Sequence, residues 1–379
     1  MHKVRNYLSL LAAGSALLPT VAFGLYAFET GELFVTAEPH LEYDSNIYGN
    51  ASELSDWHAR VPVGVLVIRD AGHIRAEGTA GVDFGFFETY SEEDFADPYA
   101  RASFRYDRAG HPLVADARLG WWRQSSSDPL VEGRTEVERA QVVLDGRYRT
   151  HRRLSWRGGT NYQYWDYARG FLSERNQWGV RAGAEYSYSP RLDVGLNYAY
   201  TRTDSDRGDF ENIRSTDHTV FVSASGQITP RITQTIELGA KRRSFDDSVM
   251  ESSTEPYASA SLLWDVDELT QFRLTAVSDF AFSPENASIS EYRFELEYRR
   301  RIDAKIVLTA AAHYGELDFT YLDRADRTDD EVGGRVGIEY TFTELTSARL
   351  QGSYLTRSSS SAFADYDRYV IGGTLRFQF

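Results

Sequence analysis

From Glu32 onward, apolar and polar residues alternate with a period of two in about 18 successive segments separated by turns or polar stretches. Successive side chains of an extended strand point to opposite sides, so this period predicts β-strands. The last segment, Tyr369–Phe379, shows the pattern most clearly. One face carries Tyr369, Ile371, Gly373, Leu375, Phe377 and Phe379, and the other carries Val370, Gly372, Thr374, Arg376 and Gln378.

A soluble protein that ended on such an aromatic strand would expose a sheet edge that is prone to aggregation. A closed membrane barrel has no open edge, because its last strand pairs with its first. We therefore predict an all-β fold, a transmembrane antiparallel up-and-down β-barrel of about 18 strands that begins with a strand at Leu33–Asp44. A soluble propeller or sandwich also alternates and is the competing interpretation.

The aromatic residues are sorted by strand direction, as the two interfacial belts of a membrane barrel require. Odd strands end in Phe84, Phe86, Trp121, Tyr162, Tyr164, Tyr198, Tyr200, Phe280, Phe282, Tyr314 and Tyr354, which predicts the outer belt. Even strands end in Tyr106, Tyr148, Tyr186, Tyr188, Trp264, Tyr298, Tyr340, Phe342, Phe377 and Phe379, which predicts the inner belt. The eleventh predicted strand, which carries Ile232, Ile236, Leu238 and Ala240, departs from this rule, because it has Gln234 on its apolar face and no aromatic residue at its end.

The N-terminus has the features of a secretory signal peptide. A basic segment ends at Arg5, the apolar stretch Leu8–Leu18 follows, and small residues stand at Ala22 and Gly24. We expect cleavage after Gly24, with sites near Ala22 or Ala27 as alternatives and an uncleaved anchor as the competing interpretation. The predicted organisation is a signal peptide over residues 1–24 and an outer-membrane barrel over residues 25–379.

Composition limits the partners. The formal net charge is −15 and the chain contains no cysteine. A strongly acidic chain argues against nucleic acid as a partner. The lack of cysteine fits an exported protein and excludes thiol chemistry and cysteine metal sites.

Short turns and longer polar loops alternate along the chain. Outer-membrane barrels have short periplasmic turns and long external loops, so an even number of strands predicts that both termini are periplasmic. The loops Asp204–Glu211 and Asp323–Glu331 are rich in carboxylates. Neither has the glycine and closing glutamate of a calcium-binding hand in register, so we interpret both as solvated external loops.

The face opposite the apolar one is polar and carries both signs of charge. A barrel of this size is too wide for side chains to fill, and charged residues on its inner wall can orient polar solutes and select ions. The alternative is that they only form cross-strand ion pairs. The candidate pore-lining residues are Arg157, Arg181, Glu185, Arg293, Glu295, Glu297, Arg335, Glu339, Arg349 and Arg376.

We predict no catalytic, metal or cofactor site. His40 and His313 are the clearest inward-facing histidines, and Thr309 lies near His313 in the sequence, but no third group that would orient a triad is evident. A barrel hydrolase at His313 is therefore the weakest of the functional hypotheses.

The segment Glu42–Tyr48, Glu-Tyr-Asp-Ser-Asn-Ile-Tyr, resembles the opening of the putative β-barrel porin 2 family. The resemblance implies an outer-membrane barrel. Members often accompany exopolysaccharide genes and their transported substrate is generally unassigned, so it supports the fold more than an activity. Read from the residues alone, Asp44, Ser45 and Asn46 form a strand-to-loop turn, because each bonds readily to its own backbone.

These observations predict a porin-like channel in the outer membrane of a Gram-negative bacterium for small or oligomeric polar solutes, with sugars as candidates. The predicted partners are membrane lipid, a polar solute and the outer-membrane assembly machinery. The last of these rests on the resemblance of the strand ending at Phe379 to the C-terminal strands that this machinery recognises. The alternative function is a structural or accessory component of exopolysaccharide export.

Overall fold

A computed structural model describes residues 26–28, 30–128, 131, 133–168, 172–206, 212–246, 250–285, 287–321 and 325–378. The predicted signal peptide and Phe379 lie outside these residues. A 3-10 turn spans Ser91–Glu93. The strands in this part of the chain are β1 (Tyr26–Phe28), β2 (Gly31–Ala37), β3 (His40–Asp44), β4 (Asp56–Asp70), β5 (Ile74–Phe87), β6 (Phe95–Asp107), β7 (Leu113–Asp128), β8 (Gly133–Arg149), β9 (Leu154–Tyr167), β10 (Glu174–Ser189), β11 (Leu192–Asp206), β12 (Ile213–Thr229), β13 (Ile232–Phe245), β14 (Ser253–Asp265), β15 (Thr270–Phe282), β16 (Ser288–Arg301), β17 (Ile306–Thr320), β18 (Arg327–Thr343), β19 (Thr346–Ser359) and β20 (Tyr366–Gln378).

The sheet closes on itself. From β4 to β20 each strand pairs antiparallel with the next, and β20 also pairs with β2 and β3, which in turn pair with β4. Phe377 lies opposite Ala37, and Thr374 lies opposite His40. The predicted closure between the first and last strands is therefore confirmed.

β2 and β3 form one strand that is interrupted at Glu38 and Pro39. Proline has no amide hydrogen to donate to a sheet ladder, which explains the break. The ladder is maintained around it, because Leu375 donates to the Pro39 carbonyl at 3.0 Å and Glu38 donates to the Pro62 carbonyl at 3.1 Å. With β2 and β3 counted as one strand and the three-residue β1 left out, the barrel has 18 strands, as predicted.

The short strand β1 completes the seam. β20 ends opposite Thr36, so the residues of β2 that precede Thr36 have no partner in β20. β1 pairs with this part of β2, with Tyr26 opposite Leu33 and Phe28 opposite Gly31. An unpaired strand edge exposes backbone donors and acceptors, so this hairpin covers the part of β2 that the last strand does not reach.

Among the described residues, we find no helix with the length and apolar character needed to cross a membrane.

The outer surface is apolar and carries aromatic rows near both rims. At the rim with the longer loops, the Tyr43 ring lies 5.4 Å from Trp57 and 5.8 Å from Tyr369. At the rim with the short turns, Phe272 lies 5.8 Å from Trp264 and 5.2 Å from Tyr298. Aromatic rings at these two heights match the interfaces of a bilayer.

Two residues predicted for the outer belt are placed elsewhere. Phe280 and Phe282 are 9% and 6% exposed and pack against the guanidinium of Arg243 instead of facing lipid. The assignment was wrong because β14 pairs with β15 only as far as Ser278, so the end of β15 leaves the lipid-facing surface.

The strands are longer than a bilayer requires. Those from β4 to β20 have 13 to 17 residues, whereas about 9–11 tilted residues span the hydrocarbon region. On the outer face of β11 the apolar series Val194, Leu196 and Tyr198 gives way to Arg202 and Asp204. The additional length therefore projects beyond the membrane at the rim with the longer loops, which we call the loop end.

Candidate functional site

The interior of the barrel is the candidate site, because alternate side chains turn inward and carry the charge. On β16, Phe294 and Leu296 face outward and are 45% and 42% exposed. Between and beside them, Glu295 and Glu297 both accept hydrogen bonds from Arg335, at 3.0 and 2.9 Å. The alternation seen in the sequence thus separates a lipid face from a charged interior wall.

One group of the predicted lining residues lies on β9 and β10. Arg157 stands directly opposite Arg147, an arrangement of like charges that is unfavourable by itself. The carboxylate of Glu185 lies between them, 2.8 Å from Arg157 and 3.2 Å from Arg147, and its side chain is only 3% exposed. Arg181 instead contacts Asp145 on β8.

The other group lies on β16 and β18 to β20. Besides the Arg335 cluster, Arg349 donates to Glu339 at 2.6 Å. The two groups are on different parts of the wall, and each of the ten residues has an ion-pair partner. The remaining contacts are Arg293 with Glu291 at 3.0 Å and Arg376 with Glu38 at 2.5 Å.

A basic wall near the short-turn end was largely missed by sequence reasoning. A cavity of about 710 Å³ opens between β5 and β10. The alternation within each strand could have identified its charged residues, because all of them stand on the polar face. Its charged lining consists of Arg75, Arg105, Arg118, Arg147, Arg149, Arg157 and Arg181 with Asp107, Asp116 and Asp145. This interior surface is positive although the whole chain is acidic.

The loop end of the interior contains buried ion pairs. Arg243 on β13 binds both carboxylate oxygens of Asp217 at 2.8 Å. It also donates to the Ala281 carbonyl at 3.0 Å and to the Ser288 hydroxyl at 3.1 Å, across three strands. Its guanidinium lies 4.1 Å from the Phe282 ring centroid. A charge buried this deeply is tolerated because every side of it has a partner.

A second buried cluster occupies a segment predicted to be a solvated loop. Asp329 is completely buried and Glu331 is 8% exposed, because both belong to β18 and turn inward. Asp329 accepts hydrogen bonds from Arg327 at 2.7 Å and Ser359 at 2.5 Å, and Arg357 binds Glu331 at 2.9 Å. The loop prediction is therefore wrong for these two carboxylates. In the other acidic loop, residues 207–211 lie outside the described part of the chain.

The segment that carries the family resemblance forms the predicted turn. The backbone amide of Asn46 donates a hydrogen bond to Asp44 Oδ1 at 2.9 Å. Asp44 also binds Arg368 through both oxygens, at 3.0 and 2.6 Å, and Arg368 reaches Ser127 at 2.9 Å. The following Ile47 is completely buried. The motif thus turns the chain into the opening of the barrel at the loop end, which we call the mouth, and fixes it to β7 and β20.

The same first loop contacts the loop between β5 and β6. The Tyr48 hydroxyl donates to Glu93 at 3.1 Å, and Arg134 donates to the same carboxylate at 3.1 Å. Burial, together with the neighbouring carboxylate, raises the pKa of Tyr48 to about 12. The hydroxyl therefore remains a donor over the physiological pH range.

Contacts also cross the mouth between strands that are not neighbours. The Ser173 amide donates to the Pro284 carbonyl at 2.8 Å, and Arg175 donates to the Phe282 carbonyl at 3.2 Å. The Arg175 guanidinium lies 3.7 Å from the Trp165 ring centroid. The loops after β9 and β15 are thereby joined across this end of the barrel.

The histidines considered for catalysis have other partners. His40 bonds to Thr374 at 2.8 Å. The Thr309 hydroxyl lies 3.5 Å from the Gly337 carbonyl, and the ring of His313 packs over Gly333. No group of three or more histidine, aspartate or glutamate side chains that could hold a metal ion occurs in the described ranges.

Comparisons with known proteins agree on the fold. The family model described as "Putative beta-barrel porin 2" matches residues 215–379. The resemblance seen at Glu42–Tyr48 is thus confirmed by a match to the same family in a different part of the chain. No curated protein matches the sequence.

Among solved structures, the FrpB iron transporter from Neisseria meningitidis is similar, with a TM-score of 0.50 and 11% identity over 86% of this chain and 62% of that chain. Pseudomonas aeruginosa OccK2 (OpdF) has a TM-score of 0.49 and 13% identity over 94% of this chain and 99% of that chain. The likeness to the iron transporter shows a shared fold. The chain is an outer-membrane-type β-barrel.

Proposed function

We propose that this barrel is a porin-like channel that lets small or oligomeric polar solutes, sugars among them, pass the outer membrane passively. The observation that carries the proposal is the closed 18-strand wall, apolar outside and charged inside. Side chains alone do not fill a barrel of this size, so water and solutes have room within it.

The proposed path is not uniform in width. Near the short turns, the basic wall surrounds a cavity of about 710 Å³. At the loop end, Arg243, Arg357 and Arg368 hold inward-facing carboxylates and loop segments together. We propose that this end is the constriction that limits solute size.

The ten predicted lining residues have two different proposed roles. Glu185, buried between two arginines, holds the wall together. The more exposed Arg181 and Arg335 keep part of their guanidinium surface open to the interior, with 46% and 52% of their side chains exposed. Charges of this kind orient polar solutes as they pass.

The location and orientation follow from the same proposal. Residues 1–24 direct export and are removed, and both termini of the mature barrel are periplasmic. The C-terminal strand, with Phe379 as its last residue, is recognised by the outer-membrane assembly machinery. These points rest on the sequence pattern and on the even number of strands.

Reconstitution tests the function directly. Purified protein in planar bilayers should give discrete single-channel currents in KCl, and proteoliposomes should swell in isotonic glucose faster than in isotonic tetrasaccharide. A correctly folded barrel that produced neither currents nor swelling would contradict the proposal.

A further inference from the structure

A group of aromatic side chains on β6 and β7 faces the interior, unlike the aromatic residues of the two belts. Phe95 and Tyr99 on β6 and Trp122 on β7 line a cavity of about 510 Å³. Their chain neighbour Trp121 faces outward and is 38% exposed. The cavity volume falls in the range of small-molecule sites, about 300–1,000 Å³.

Glycines on the neighbouring strands make room for these rings. Gly85 is directly opposite Phe95, and a Cβ atom at this position would overlap the phenyl ring. Tyr99 extends across two strands, so that a Cβ at Gly64 or Gly81 would come within 2.6 or 2.7 Å of its hydroxyl. The rings therefore lie against the wall where it has no side chains of its own.

Trp122 is seated in the same way. A Cβ at Gly120 would lie 3.1 Å from its six-membered ring, and the Arg101 guanidinium is 5.2 Å from the ring centroid. Trp122, like Phe95 and Tyr99, is only half-buried. The three residues thus form an aromatic part of the cavity lining, which we call the aromatic floor, and their rings remain accessible from the cavity.

Two residues that line the same cavity each have a buried polar atom without a hydrogen-bond partner in the part of the chain that the structure describes. His58 uses Nε2 to bind Glu42 at 2.8 Å, whereas its Nδ1 is buried and has no hydrogen-bond partner among the described residues. Asp83 binds Arg60 through one oxygen, and its other oxygen is likewise buried and unpaired. Buried polar groups normally have a hydrogen-bond partner, so a hydroxyl group that reached either atom would complete its hydrogen bonding.

We propose that this cavity is a saccharide-binding subsite of the interior, a proposal that rests on the channel function and specifies a solute class for it. A pyranose ring has an apolar C–H face and a rim of hydroxyls. The aromatic floor suits the first, because ring faces are electron-rich and apolar. Asp83 and His58 suit the second, since a carboxylate accepts hydroxyl hydrogens and an imidazole donates or accepts one.

Calorimetric titration of the full-length mature barrel with cellotetraose and maltotetraose tests the subsite. The protein is kept in a polyoxyethylene detergent, because a maltoside headgroup would compete. We expect at least one tetrasaccharide to bind, and Trp122→Ala to weaken binding about five- to tenfold. Trp122→Tyr should retain part of the affinity, whereas the lipid-facing control Trp121→Ala should leave it unchanged.

If Trp122→Ala does not fold, as judged by heat-modifiable mobility on gels, Gly120→Ala replaces it, since the added methyl tilts the indole without removing it. Absence of tetrasaccharide binding to the wild type, or equal losses in the Trp121 and Trp122 variants, would overturn the inference. A barrel that binds but does not conduct contradicts only the channel function. A barrel that conducts but does not bind contradicts only the subsite.

Discussion

The guanidinium of Arg243 and the carboxylate of Asp217 form a two-point ion pair inside the loop end of the barrel, with both N–O distances at 2.8 Å and side chains 1% and 2% exposed. Removing Arg243 would leave the Asp217 charge buried without its two-point partner, and only Lys241 Nζ, 3.5 Å away, would remain near it. The pair is thus a structural element of the mouth.

The first prediction concerns stability. Arg243→Ala should lower the free energy of unfolding by about 3–5 kcal/mol, because Asp217 would remain buried and charged. The control is Arg349→Ala, since Arg349 is 46% exposed and such pairs contribute about 0–1 kcal/mol. Urea unfolding in lipid vesicles, followed by tryptophan fluorescence, measures both. Equal losses would show that the mouth pair has no special role.

The second prediction concerns the width of the mouth. Arg368→Ala releases Asp44 and Ser127, so the first loop should loosen and single-channel conductance should rise. Arg376→Ala removes a more exposed ion pair, with Glu38, near the short turns and should change conductance much less. Lower or unchanged conductance in the Arg368 variant would place the constriction elsewhere.

The third prediction concerns ion selectivity. Arg75 and Arg149 line the basic cavity, and replacing both with glutamine removes two positive charges from the interior. The reversal potential in a KCl gradient should shift toward cation preference, because fixed charge in a pore attracts ions of opposite sign. Arg202→Gln, on the outer face, serves as the control. Equal shifts in both variants would contradict an interior location for the basic wall.

The fourth prediction concerns assembly. Deletion of Phe379 should reduce the amount of folded, heat-modifiable protein in the outer membrane, because the proposed recognition signal ends on this residue. Gln378→Ala, at a polar position of the alternating sequence, should have little effect. Normal assembly of the truncated chain would contradict the proposed role of Phe379.

The fold could be predicted because period-two alternation survives in every strand and depends only on local geometry. Even the interruption at Pro39 has a local cause, the missing amide hydrogen. The mouth could not be predicted in this way. Asp329 and Glu331 resemble a solvated loop in the sequence, but they become buried because Arg357 on another strand turns toward them.

The same limit applies to Phe280 and Phe282. Alternation assigns them to the lipid face, and only the early end of the β14 pairing and the position of Arg243 place them inside the mouth. The interior floor at Trp122 is a contact between strands as well. It depends on which glycine lies opposite which ring, and strand register is not visible in a single segment.

The proposed channel requires the outer face of the barrel wall to contact lipid and the inner face to contact water. Cysteine labelling tests this most directly. The chain has no cysteine, so single cysteines at Phe294, Glu295 and Leu296 in the intact membrane can be compared without background. A membrane-impermeant maleimide should label position 295 readily and positions 294 and 296 poorly, and brominated lipid should quench a fluorophore only at 294 and 296. Equal labelling at all three positions, or the reverse pattern, would contradict a lipid-facing exterior and a water-filled interior.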